Sequence, residues 1–422
     1  MRVTTAFNKL LRLPGVFVTA VTFEQARIIV DVRLKRRRLV CPECGWSTRA
    51  RHNHQPNPST WRTLDLGAWR VIVRAQLRRL DCPAHDVIVE AVPFARHRVR
   101  FTADFEALVA WCATKMDATA VARLCRIAWP TVGDIVARVT VDQIDPRRLD
   151  DLFEIGVDEI SWRKHHNYLT VVVNHRTGDV VWTDEGKDTA ALDRFFAELG
   201  PDRAKQLTAI SMDMGKAYSA SAAKHAPKAT IAWDPFHVVK LATKALDAVR
   251  RQHWNHLRKH ADEDTARKFK GARWALLKNP EDLTCRQADS LAALKRAGGA
   301  TWRAYQLKEA LRAIFDGDLD EGQVTELLDR WLSRAQRCRI PEFVKLGRTI
   351  RQHRAGILAA IRLGLSNGRV EGLNNKIRLI IRRAYGFHSA KAAAALVMLC
   401  CGPVRLLLPH EKDHKPHLQV LQ

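Results

Sequence analysis

No apolar run in the sequence reaches the roughly 18 residues that a membrane-spanning helix needs. The first residues lack the basic, apolar and small-residue regions of a secretory signal, so a cytosolic chain is expected. Cysteine is sparse, with nine in 422 residues. An odd number scattered over a long chain argues against a disulfide framework. No internal repeat or low-complexity tract is evident. Acidic residues are short too: 45 Asp and Glu face 70 Lys and Arg, a net charge of +25. That balance says nothing about fold. It favours polyanionic partners, because Lys and Arg release counterions from phosphates. The hydrophobic fraction of 46% can build real cores, and the length calls for about two to four domains.

Six cysteines, Cys112, Cys125, Cys285, Cys338, Cys400 and Cys401, lie in apolar or helical contexts and are expected to be ordinary buried residues. The other three are different. Cys41-Pro-Glu-Cys44 is followed, 38 residues after Cys44, by Cys82-Pro-Ala-His85. Two tight knuckles, each offering two ligands, close a tetrahedron around one structural zinc ion. His52 and His54 compete with His85 for the fourth place. Between the knuckles Trp69–Leu80 alternates, with Val71, Val73, Ala75 and Leu77 against Arg70, Arg74 and Arg78. This predicts a zinc-stapled β-ribbon whose arginines face nucleic acid; mere solvent exposure is the plainer alternative.

A short amphipathic opening and two β-rich runs, Val16–Val21 and Ala26–Leu34, precede the ribbon. Residues 104–140 have helical periodicity. Ala118–Cys125, a turn at Arg126–Trp129 and Pro130 opening Thr131–Val139 resemble a helix-turn-helix. Thr131, Asp134 and Arg138 would then face the groove, whereas a plain helical hairpin would leave them without that role.

The next region predicts a mixed sheet. Strands are expected at Phe153–Ser161, Tyr168–Asn174, Val180–Thr183, Leu207–Asp213 and Ala229–Trp233. Helices are expected at Ala190–Leu199, Lys216–His225 and Val238–Arg251. Asp158 lies within the first strand and Asp213 ends the fourth. If those strands are neighbours, their carboxylates meet. From 241 to 365 the texture is helical, with Trp254, Trp274, Trp302 and Trp331 expected as core anchors.

The last informative stretch is Ser366–Tyr385. After a turn at Ser366-Asn367-Gly368, Val370, Leu373, Ile377, Ile380 and Ala384 make one helical face. Glu371, Asn375, Arg378 and Arg382 make another. Asp158, Asp213 and Glu371 together would hold two divalent ions about 3.5–4 Å apart, the arrangement for in-line attack on phosphate. Mg²⁺ or Mn²⁺ suits an all-carboxylate site.

At these residues the chain resembles the DDE transposases of bacterial insertion sequences, ISL-three family. The matching blocks are the two knuckles, the helix-turn-helix, Gly156–Ser161, Ser211–Tyr218, Asp234-Pro-Phe-His237, and Ser366–Lys376 with Arg383–Phe387. They run in order over almost the whole chain. The second knuckle departs from the family's usual Cys-x-x-Cys by ending in His85. The resemblance implies an α+β multidomain protein. Its parts are a β-rich zinc-binding domain (1–97, ribbon about 41–85), a helix-turn-helix domain (98–150), an RNase H-like mixed-sheet catalytic core (151–240 and 366–402), an all-helical insertion (241–365) and a tail (403–422). It also implies cleavage at terminal inverted repeats, transfer of 3′ ends to target DNA, and a homo-oligomer, a dimer on DNA. Carried over by position, Asp158, Asp213 and Glu371 form the catalytic triad, and Asp234 and His237 lie near it. An N-cap role alone remains open for Asp234. A DNA-binding repressor without catalysis, a domesticated transposase and a stand-alone nuclease are the competing classes.

Overall fold

The computed structural model describes residues 1–316, 319–365 and 368–411; the side chains of 368–371 are not described. The chain divides into two compact units.

The first unit comprises residues 1–145 with short C-terminal segments. It opens with helix α1 (Val3–Leu11), then strands β1 (Val16–Glu24), β2 (Arg27–Leu34), β3 (Ser59–Arg62) and β4 (Arg70–Ala75). The sheet order is β1-β2-β4-β3, with β2 and β4 parallel. Its buried face carries Val30, Val71, Val73 and Trp61, closed by Phe7 and Phe94. A second, smaller sheet pairs β5 (Arg78–Cys82) with β6 (Asp86–Val89) and with the short strand Asn53–His54.

The alternation over Trp69–Leu80 therefore spans two sheets, not one ribbon. Burial alternates as expected, with Val71, Val73, Ala75 and Leu77 inside. The break comes at Arg78, whose backbone N–H donates to the buried Glu90 Oε1 at 3.0 Å. A distant side chain ends one sheet and starts the other.

Three helices follow: α2 (Ala103–Ala113), α3 (Ala118–Cys125) and α4 (Trp129–Gln143). Asp117 caps α3 by accepting from Thr119 N and Ala120 N at 2.9 and 3.0 Å. Arg126 ends it in the left-handed region, φ 53°. Pro130 sits in the first turn of α4, where its missing N–H costs nothing. Val109, Val121, Val132, Ile135 and Val139 are buried.

The second unit holds residues 146–382 and 386–403. Strands β7 (Glu154–Arg163), β8 (Asn167–Asn174) and β9 (Val180–Glu185) form an antiparallel meander. Gly178, with no Cβ, takes the positive φ of 81° that the β8–β9 turn needs. Helix α5 (Thr189–Leu199), β10 (Ala209–Met212), α6 (Lys216–His225), β11 (Thr230–Trp233) and α7 (Pro235–His260) complete the pattern. The sheet order is β9-β8-β7-β10-β11, with β10 and β11 parallel to β7. The first and fourth strands of this region are neighbours, as expected.

After β11 the described chain is helical up to residue 365. Its main members are α8 (Gly299–Asp316), α9 (Glu321–Arg337), α10 (Pro341–Gln352) and α11 (Arg354–Arg362). Leu311, Leu328, Trp331 and Phe343 share one continuous core with Val157, Phe195 and Ile210 of the sheet region. Trp331 is a core anchor, donating Nε1–H to Leu307 O at 2.8 Å. Trp274 is not: it is 52% exposed. Trp254 is half-buried beneath the cations of Arg258 and Lys270. Cys285 is exposed rather than buried, and Cys338 and Cys400 are half-buried. Helix α12 (Gly368–Arg383) and helix α13 (Ala390–Cys401) end the unit. The expected turn at 366–368 falls on residues 366–367, outside the described ones, and so does the tail from 412.

Candidate active site and metal centres

The acidic site follows from strand register. Val157 of β7 pairs with Met212 of β10, and the pairing ends there. The next residues, Asp158 and Asp213, are therefore brought side by side. A third carboxylate, Glu159, joins them, and one ligand oxygen from each lies within 4.8 Å of the others. Burial, and then the negative charge of Asp213, push the Asp158 carboxyl above its usual range. Burial and both aspartates do the same to Glu159. Three crowded oxygens in a partly desolvated site create the field that a divalent cation relieves.

Two further contacts fix Asp158. Its Oδ1 accepts from Glu159 N at 2.7 Å, and its Oδ2 accepts from Asn374 Nδ2 on α12. Asn374 is 4% exposed. Neither Glu159 nor Asn374 stands out as a site residue in the sequence alone. The legible signal for Asn374 was a polar residue three positions from Ile377 on the apolar stripe. Glu371 lies three positions before Asn374 on α12, but its side chain is outside the described ones.

Asp234 and His237 belong to the same neighbourhood. Asp234, 3% exposed, caps α7: Oδ1 accepts from Phe236 N at 3.0 Å. Its Oδ2 lies 2.7 Å from His237 Nδ1, which also lies 2.6 Å from Asp213 Oδ1. Asp234 is thus both an N-cap and a partner of the site. Burial disfavours the imidazolium, but the two carboxylates outweigh it and push His237 up to about 9. His237 thereby ties Asp213 to the start of α7.

The first unit holds the second centre. Cys41, Cys44, Cys82 and His85 converge, with ligand atoms within 4.8 Å of one another. Cys41 Sγ and Cys82 Sγ each lie 3.7 Å from His85 Nδ1, and Cys44 Sγ lies 3.7 Å from Cys82 Sγ. A tetrahedral ion with metal–sulfur bonds near 2.3 Å and a metal–nitrogen bond near 2.1 Å has edges of about 3.6–3.8 Å. The ligand set fits one such ion. His52 and His54 stay outside this cluster; His54 Nε2 meets Arg51 Nη1 at 2.7 Å.

The arginines expected to read DNA divide sharply. Arg74 is engaged by Asp31 through two bonds of 2.6 and 2.8 Å. Arg78 grips Glu90 at 2.8 and 2.6 Å. Arg138 binds Glu106 at 3.1 and 2.7 Å. Glu106 is fully buried in the three-helix unit and is also held by Arg96. Removing one partner of a buried charge is costly, so Arg78 on Glu90 and Arg138 on Glu106 are tied to the fold; Asp31 is only half-buried, so the Arg74 pair is a weaker tie. Arg70 is exposed, Thr131 half-buried and Asp134 exposed. Asn375, Arg378 and Arg382 are exposed on α12, and Arg378 Nη1 donates to Asn375 Oδ1 at 3.0 Å.

A mixed sheet that gathers carboxylates where two parallel strands part, on a chain with a Cys₃His knuckle pair and a helix-turn-helix, defines a DNA-processing protein of the DDE class. Comparison with known families agrees at every level. Residues 155–397 match the DDE transposase model of family ISL3. Residues 90–140 match the helix-turn-helix domain of transposase family ISL3, and residues 37–85 the zinc-finger of transposases IS204, IS1001, IS1096 and IS1165. The chain belongs to the ISL3 family of insertion-sequence transposases. It is 44% identical over 416 residues, 92% of each chain, to the transposase for insertion sequence element IS1557 of Mycobacterium tuberculosis. It is 29% identical over 354 residues, 83% of this chain and 85% of the relative, to the transposase for insertion sequence element IS1001 of Bordetella parapertussis. No helix among the described residues is long and apolar enough to cross a membrane.

Proposed function

We propose that this transposase binds the terminal inverted repeats of its element, cuts DNA at those ends and joins the 3′ ends to target DNA. The observation that carries the reading is the side-by-side placement of Asp158 and Asp213 where β7 and β10 part. The order β9-β8-β7-β10-β11 fits an RNase H-like sheet, and the helices from 241 to 365 fit an insertion before the last acid. Glu371 would supply that acid, since it shares a face of α12 with Asn374, which reaches Asp158. On this plan the zinc-binding domain covers 1–97, the helix-turn-helix domain 98–150, the core 151–240 and 366–402, and the tail 403–422.

Asp158, Asp213 and Glu371 would hold two Mg²⁺ or Mn²⁺ ions, and Cys41, Cys44, Cys82 and His85 would hold one zinc. The divalent pair, when bound, supplies charge stabilisation for attacking and leaving oxygens of phosphate. Asn374 and the Glu159 N–H hold the Asp158 carboxylate in place. His237, anchored by Asp234, does the same for Asp213. The enzyme works on double-stranded DNA in the cytoplasm as a dimer on paired ends.

The test is the purified full chain with Mg²⁺, labelled element ends and plasmid target. Nicked ends and ends joined to plasmid are expected. Cut ends that never join would make it a nuclease, and tight binding without cutting would make it a repressor.

DNA contact is expected from the exposed face of α12. Arg378→Ala and Arg382→Ala should each lower the slope of log K against log salt by about 1. Arg138→Ala should lower the melting temperature of the first unit and leave that slope unchanged, because its charge is committed to Glu106. An unchanged slope in both α12 variants would remove that face from the interface.

A further inference from the structure

We propose that Asn374 is a direct oxygen ligand of the divalent cation at the acidic site. This rests on the metal-dependent reading of Asp158 and Asp213 given above. Asn374 is 96% withdrawn from solvent, and its amide is only half satisfied. Nδ2 donates to Asp158 Oδ2, while Oδ1 is buried with no hydrogen-bond partner among the described residues. Buried carbonyl oxygens without a partner are rare in folded proteins.

Its surroundings narrow what could complete it. Oδ1 shares its amide carbon with Nδ2, which donates to Asp158 Oδ2, so it sits next to the Asp158 carboxylate, itself clustered with Glu159 and Asp213. Those carboxylates are acceptors when ionised and cannot donate to another oxygen. The missing group is electron-poor. Hard divalent cations take amide oxygens together with carboxylates. One side chain thus orients Asp158 with its nitrogen and faces the ion with its oxygen. Asn375, next in sequence, is exposed and accepts from Arg378 instead.

The experiment measures Mn²⁺ binding to the full-length protein by calorimetry, without DNA. Asn374→Ala is expected to weaken Mn²⁺ about tenfold in a chain that still unfolds in one cooperative transition. Asn374→Cys places sulfur at the ligand position. It should shift preference from Mn²⁺ toward Cd²⁺ at least tenfold and add a thiolate-to-Cd²⁺ absorption band over the wild-type background. A purely hydrogen-bonding role predicts no such band and no shift. Folded Asn374→Ala with wild-type Mn²⁺ affinity, or Asn374→Cys without the band, overturns the proposal. Asp158→Asn separates the two levels. If it loses Mn²⁺ while Asn374→Ala does not, only this inference fails; if it binds Mn²⁺ normally, the acidic site as a metal centre fails with it.

Discussion

Asp158→Asn is expected to reduce end cleavage and end joining by about 10³-fold or more while leaving binding to the element ends within about twofold. The size follows from the task. A bound divalent ion contributes several kcal/mol of charge stabilisation, and each 1.4 kcal/mol is tenfold in rate. The substitution keeps the shape of the side chain and removes the charge. Asn can still accept one of the two bonds that Asp158 accepts from Glu159 N and Asn374 Nδ2, so the strand need not move. Asp213→Asn should act alike in rate but differ in structure. It also strips His237 of one of its two carboxylate partners, so the start of α7 should loosen and exchange its amides faster. A second readout is thermal. Mg²⁺ at about 100 times its dissociation constant stabilises the native protein by about 2.7 kcal/mol, and this metal-dependent rise in melting temperature should vanish in both variants. Gel assays of cutting, mobility-shift titrations and melting curves with and without Mg²⁺ check the three statements. Cutting at the wild-type rate by Asp158→Asn would remove the acidic site from the chemistry.

The sheet and its acids were legible because their signals are local. Five strands with hairpin and helix punctuation fix the element order, and an apolar strand that turns acidic, as at Asp158 and at Asp213, marks a functional end. What escaped is non-local. Arg74 and Arg138 look like exposed cations in sequence, yet their partners Asp31 and Glu106 lie 43 and 32 residues away. No periodicity within one strand or helix carries that information. The same holds for Glu90, which splits the run Trp69–Leu80 between two sheets. Asn374 and Asn375 illustrate the limit on a helix. Adjacent positions differ by about 100° around the axis: the stripe through Ile377 marks Asn374 as the inward one, but that it meets Asp158 depends on where β7 lies. The tryptophans divide for a similar reason: Trp331 lies among core positions of α9, whereas Trp274 sits on a five-residue helix and is largely exposed.

The second large effect is expected in the first unit. Cys82→Ser, or a strong chelator on the wild-type chain, should remove one equivalent of zinc and melt the knuckle region. The core beneath the knuckles explains why. It consists of Leu39, Cys41, Leu80 and Cys82 with Ile88 packed at its edge, so two of its four buried members are candidate zinc ligands. Burying a leucine or isoleucine contributes about 1.5–3 kcal/mol. A structural zinc site contributes about 10–16 kcal/mol at neutral pH, several times as much, so the ion would dominate the stability of this small cluster. The neighbouring sheet should survive, because Phe7, Val30, Trp61, Val71, Val73 and Phe94 form a core of their own. Limited proteolysis after chelation should therefore cut within about 37–58 and 83–88 and spare β1, β2 and β4. Zinc content by elemental analysis should fall from one equivalent to near zero in Cys82→Ser, and by less in His52→Ala or His54→Ala, which lie outside the cluster. Affinity for the element ends should drop at least tenfold if the ribbon holds DNA, and restoring zinc to the chelated chain should return it. A Cys82→Ser chain that keeps its zinc and resists protease at both knuckles would show that the four side chains meet without a metal.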